Sequence, residues 1–194
     1  MKAALSRQIQ IEGLLDLLQC QSRDRRIQFI CDARALHRHL FSHGRGLTRG
    51  VPGQYRKSSD PDRGSVCVLT RTRGLHLQSD GLAADLVGSA MRNFRDQMRA
   101  VLTLPPPKDA VPTALTHLLA EFVLIHPFSD GNGRTARLML LAAARHLVCP
   151  MTPEWTVSPR PHGAGFSVAL LAYKRSPEPF VAYMRRFFAP EVPK

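Results

Sequence analysis

Residues 112–125 constrain the fold more than any other stretch of the chain. Leu115, Leu118, Leu119, Phe122, Leu124 and Ile125 cover most of the circumference of the helix that their spacing predicts, and Pro112 stands at its start. A helix that is apolar on nearly every side needs an apolar surrounding. Its 14 residues fall short of the roughly 20 that a bilayer crossing requires, and no run of about 18 apolar residues occurs in the chain. The surrounding must therefore be protein, and the helix belongs at the centre of a bundle.

The rest of the 194 residues supply that bundle. Ile11, Leu14, Leu15 and Leu18 give an apolar face to a helix over 6–19, and Ile27, Ile30, Ala33, Leu36 and Leu40 do so over 24–42. Leu82, Leu86, Ala90, Phe94 and Met98 mark a helix over 81–101, which Pro105-Pro106-Pro107 ends. The run 134–147 is a strong helix former stopped by Cys149-Pro150, and 166–173 and 178–188 also read as helical. Residues 43–64 are loop-like, rich in Gly, Pro, Ser and Asp. Val66, Val68 and Leu69, then a turn, then Leu75 and Leu77 predict a short β-hairpin. The expected fold class is mainly α, one domain with a small hairpin.

The chemistry concentrates in His126-Pro127-Phe128-Ser129-Asp130-Gly131-Asn132-Gly133-Arg134-Thr135-Ala136-Arg137. Gly131 and Gly133 admit backbone angles closed to other residues. The loop runs into a helix N-terminus, whose free N–H groups and dipole attract phosphate. Arg134 and Arg137, three apart, can clamp further phosphate oxygens. Asp130 is a hard oxygen ligand suited to Mg²⁺ carried by a nucleotide. His126, at the end of the preceding helix, can accept a proton near neutral pH. Together these residues describe nucleotide-phosphate chemistry with a hydroxyl nucleophile.

The segment matches His-x-Phe-x-(Asp/Glu)-Gly-Asn-Gly-Arg-x-x-Arg at every specified position, and in this it resembles the Fic family. The resemblance implies a mainly α-helical domain that transfers AMP from ATP to a Ser, Thr or Tyr hydroxyl of a target protein. It implies that His126 deprotonates that hydroxyl, that Phe128 anchors the loop in the core, and that Asp130 binds Mg²⁺. It further implies an anion hole from Gly131, Asn132 and Gly133, with Arg134 and Arg137 on the outer phosphates. Doc-type kinase relatives carry Ala and Lys where this chain has Gly131 and Gly133, which favours AMP transfer over phosphate transfer.

The resemblance extends outward to cover most of residues 24–188. Gly53-Gln54-Tyr55-Arg56 is similar to an upstream Gly-x-Tyr-Arg element of the family. The hairpin stands where the family places a flap that aligns the target as an added strand. Thr70, Arg71, Thr72, Arg73, Gly74, Leu75 and His76 would form its tip and edge. A Fic domain over 24–194 would then follow an N-terminal inhibitory region at 1–23. There Gln8-Ile9-Gln10-Ile11-Glu12-Gly13 resembles the inhibitory pattern (Ser/Thr)-x-x-x-Glu-(Gly/Asn), with Gln8 where Ser or Thr is the rule. The resemblance implies that Glu12 pairs with Arg137 and blocks the ATP γ-phosphate.

Charge and cysteines set the remaining expectations. Lys plus Arg exceed Asp plus Glu by 27 to 15, a net charge of +12. Residues 21–73 alone carry twelve basic side chains against four acids. That cluster fits an acidic protein face better than nucleic acid, because three Tyr and one Trp make a poor stacking platform. Cys20, Cys31, Cys67 and Cys149 show no C-x-x-C spacing and read as reduced, mostly buried thiols. The N-terminus lacks the apolar stretch of a secretory signal, so the expected location is cytoplasmic. Three alternatives stay open: a Fic-type transferase with another nucleotide donor, a basic nucleic-acid-binding regulator, and an inactive interaction module. Self-association is open as well.

Overall fold

Helix α5 (Val111–Ile125) occupies the centre that its sequence demands, with Leu115, Leu118, Leu119, Ala120, Phe122 and Ile125 buried. Each such Leu or Phe contributes roughly 1.5–3 kcal/mol by leaving water. Against it pack α4 (Ala84–Thr103), α6 (Asn132–His146) and α8 (Glu178–Arg185). Helix α6 presents the small buried residues Ala136, Ala142, Ala143 and Ala144, which let its neighbours approach closely. The structure, a computed structural model, describes residues 2–42, 46–59, 66–69, 76–79, 82–161 and 163–190. Among these the other helices are α1 (Lys2–Gln19), α2 (Arg23–Ile30), α3 (Ala33–Phe41) and α7 (Ala164–Ala172), and a turn of 3-10 helix at Lys108–Ala110 leads into α5. No helix among the described residues is long and apolar enough to cross a membrane.

Helix α1 buries Ile11, Leu14, Leu15 and Leu18 in the same cluster as the central helices. Strands β1 (Val66–Leu69) and β2 (His76–Ser79) form the expected hairpin, antiparallel, with Val66 opposite Ser79 and Leu69 opposite His76. The expected flap tip, Thr70, Arg71, Thr72, Arg73, Gly74 and Leu75, lies outside the described residues, and His76 opens β2.

Two local expectations need correction. The helix expected over 24–42 is two helices. Asp32 takes a non-helical backbone, and its Oδ1 accepts from the N–H groups of Arg34 and Ala35, both at 3.0 Å, so it starts α3 afresh. On α4 the buried stripe is Val87, Met91, Phe94, Met98 and Leu102, while Leu86 stands exposed. Both stripes fit a helical period, and only the neighbouring α5 and α2 decide which one is inward. The cysteines Cys20, Cys31 and Cys149 are free as expected, although Cys20 is exposed.

Candidate active site

The site is assembled where the C-terminus of α5 meets the N-terminus of α6. His126 caps α5 in a left-handed conformation, with φ 51° and ψ 60°. That conformation is strained for a residue with a Cβ and persists only where surroundings enforce it. The enforcement comes from Arg56, itself buried. Its N–H donates to Pro127 O at 2.9 Å, its Nε to His126 O at 2.8 Å, and its Nη2 to Ile125 O at 3.4 Å and also to Leu82 O. The carbonyls at the end of a helix lack partners within it, and here one guanidinium serves them. Arg56→Ala should therefore destabilise the protein by about 2–4 kcal/mol, since each buried acceptor left bare costs about 1–3 kcal/mol. Urea unfolding measures this.

Within the loop, Phe128 is 1% exposed and stacks on the His37 ring at 3.9 Å, with Tyr55 at 5.5 Å. Asn132 does not aim its side chain into the expected anion hole. It is 3% exposed and turns back to close the loop: Oδ1 accepts from Phe128 N–H at 2.9 Å, and Nδ2 donates to Phe128 O at 2.7 Å. What Asn132 offers an anion is its backbone N–H. Thr135 N–H is the first to bond within α6, to Gly131 O at 3.0 Å. The N–H groups of Asn132 and Gly133 thus stand ahead of the helical ladder, as a cradle requires.

His37, buried on α3, fixes the loop from below. Gly53 N–H donates to its Nδ1 at 2.9 Å, so the proton sits on Nε2, which donates to Asp130 O at 3.0 Å. Burial pushes its pKa below the ordinary 6.5, and the charge of Arg134 adds to this. The bond to Asp130 O and the Asp130 carboxylate oppose it. The neutral ring is the folded form, so its stabilisation is complete above pH 6.5 and is lost as pH falls through the lowered value. The unfolding midpoint should drop as pH falls below 6.5, and less so in His37→Gln. A midpoint falling equally in both would show that other groups carry the effect.

Charge is unevenly matched here. Burial alone would raise the Asp130 carboxyl. The hydrogen bonds from Thr48 N–H (2.8 Å), Thr48 Oγ1 (2.9 Å) and Gly131 N–H (2.5 Å), with the Arg134 charge, outweigh burial and hold it below the usual carboxylate range. An ionised carboxylate is therefore held beside the cradle, the donor that Mg²⁺ prefers. Arg134 lies over the Phe41 ring at 4.5 Å, donates to Gly46 O at 2.6 Å and comes within 3.7 Å of Asp130. Arg137 is only 6% exposed, and its Nε and Nη2 both donate to Val157 O, at 3.0 and 2.8 Å. Burial, then the charges of Arg160 and Arg134, lowers its pKa to about 10. No carboxylate among the described residues pairs with it. Arg160 and Arg134 thus add positive charge around an already buried cation.

The structure thus brings together His126, Phe128, Asp130, Gly131, Asn132, Gly133, Arg134 and Arg137. It does not bring in Glu12. The pair expected between Glu12 and Arg137 is not formed: Glu12 Oε2 meets Arg145 at 2.6 Å, and Asp16 meets the same guanidinium at 3.6 Å. Arg145 lies eight residues beyond Arg137 on α6, about 12 Å along the axis. Sequence reasoning also missed His37, Thr48 and Arg160. A lone His on an amphipathic helix and a Thr in a loop give no signal until the fold places them. Arg56 was legible only as part of Gly-x-Tyr-Arg.

The model of the Fic/DOC family matches residues 30–144. Among solved structures the chain is similar to a Fic family protein from Desulfovibrio desulfuricans G20, at 23% identity and a TM-score of 0.55. The match covers 92% of this chain and 50% of that one, so this chain spans half the neighbour's length. Likeness at that identity speaks to the fold alone. No curated protein matches the sequence.

Proposed function

Because the chain belongs to the Fic/DOC family, generally a family of transferases, we propose that it moves AMP from ATP onto a Ser, Thr or Tyr hydroxyl of a target protein and releases pyrophosphate. One observation carries the reading beyond the family: Arg137 is a buried cation without a carboxylate partner among the described residues, close to the N-terminus of α6. A nucleotide polyphosphate supplies the missing negative charge.

In this reading the target hydroxyl attacks the α-phosphorus in line, and the bond to the β-phosphate oxygen breaks. The imidazole of His126 takes the hydroxyl proton. Charge developing on the phosphate oxygens meets the N–H groups of Asn132 and Gly133, whose orientation the loop has already fixed. Arg134 and Arg137 hold the outer phosphates. Asp130 would hold a Mg²⁺ that neutralises phosphate charge when bound. The edge of the β1–β2 hairpin would align the target segment through backbone bonds.

The test is labelled ATP. Label at the α-phosphate should enter protein and label at the γ-phosphate should not. The reverse pattern would make the chain a phosphotransferase, and competition by other nucleoside triphosphates identifies the donor.

A further inference from the structure

Away from the loop, α3 and α4 enclose a groove of about 530 Å³ whose walls carry Arg34, Arg38, Arg92, Arg95 and Arg99 against a single acid, Asp32. Arg34 and Arg38 lie one turn apart on α3. Arg92, Arg95 and Arg99 share one face of α4 and span about 10 Å of it. Arginines of both helices thus line one groove.

Few acids among the described residues stand near them. Asp32 spends one oxygen capping α3. Arg95 meets Asp96 at 3.6 Å, but both side chains are more than half exposed, and such a pair is weak. No acid among the described residues pairs with Arg38, Arg92 or Arg99. Like charges that share one groove repel one another, and an anion entering it relieves the repulsion.

We propose that this groove is a second anion site, distinct from the cradle on α6, and that it takes a compact polyphosphate. Guanidinium forks match phosphate oxygens two at a time. The volume suits a small ligand. An acidic peptide is the poorer fit, because an extended chain turns alternate side chains to opposite sides and offers fewer carboxylates to the arginines. The site also touches the active loop. Arg34 Nε donates to Gly53 O at 2.8 Å, Gly53 N–H donates to His37, and His37 holds Asp130 O. An anion drawing on Arg34 is therefore linked to Asp130 of the loop through two residues, Gly53 and His37. The phosphate chain can be inorganic or the tail of a nucleotide.

Calorimetric titration of the full chain with sodium tripolyphosphate tests this without reference to the transfer reaction. The comparison is Arg92→Gln/Arg95→Gln/Arg99→Gln, which changes only exposed side chains of α4 and should unfold at or above the wild-type midpoint. The triple variant should lose at least tenfold in affinity for one binding event and keep the event at the α6 cradle. ATP as a second titrant separates the two sources: stronger binding than tripolyphosphate in the groove identifies a nucleotide. Equal affinity and stoichiometry in wild type and variant would overturn the proposal. So would a glutamate-rich peptide that binds the groove more tightly than tripolyphosphate.

Discussion

His126→Ala should lower transfer of α-phosphate label from ATP to protein by about 10²–10⁴-fold, the contribution of a positioned acid–base group. Nucleotide affinity should change little, because the cradle N–H groups and Arg137 remain. The backbone of His126 makes a second variant more telling. At φ 51° any side chain is strained, and glycine is not. His126→Gly should lose the same activity while its stability holds or rises by about 1 kcal/mol. Activity and stability then move in opposite directions, which simple damage to the fold cannot produce. Retained transfer in His126→Gly would remove His126 from the chemistry.

Gly131→Ala should be the most disruptive single-methyl change in the loop. Gly131 caps α6 at φ 81°, and a Cβ there would lie 2.6 Å from Phe41 Cε2 and 3.1 Å from His37 Nε2. Phe41 is a ring tip, but it cannot swing away freely. It is 2% exposed, packs on His37 at 4.7 Å and carries Arg134 above it. Backbone strain of about 1–2 kcal/mol and overpacking of about 1–3 kcal/mol add to a loss of roughly 2–5 kcal/mol. Transfer should fall with it, since the cradle starts at this residue. Phe41→Leu should restore part of the stability, leaving the backbone share uncorrected. Gly133→Ala makes the contrast. Gly133 lies within the helix, and its Cβ would meet only Arg137 Nη1, at 3.1 Å. That change should weaken nucleotide binding and spare the unfolding midpoint.

The central helix and the site loop were legible for different reasons. Helix α5 is apolar all round, and no neighbour is needed to know that such a helix is inside. The loop was legible because its residues are close in sequence and each has a chemical task. Where two answers satisfied the same period, the sequence could not choose. On α4, Leu86 and Val87 are adjacent, and packing against α5 and α2 selects Val87. The division at Asp32 was hidden because apolar residues on both sides keep helical spacing, while the cap depends on one carboxylate turning back. The basic run 21–73 concealed unlike roles. Arg56 is a buried staple, Arg23 ties to Thr103 O at 2.8 Å, and Arg34 braces Gly53. Its Arg45, Arg63, Arg71 and Arg73 lie outside the described residues. Glu12 misled for a similar reason: a short pattern fixed its identity and not the helix turn it would reach.

The bonds that shape the loop join residues far apart in the chain. Arg56 reaches across 70 positions to His126, Thr48 across 82 to Asp130, and His37 across 93 to Asp130. Arg137 is anchored still later, on Val157. Closing such distances costs chain entropy that no short segment recovers by itself. A ribosome must therefore release Val157 before the site can exist, and every stretch made before that residue is chemically silent when it emerges.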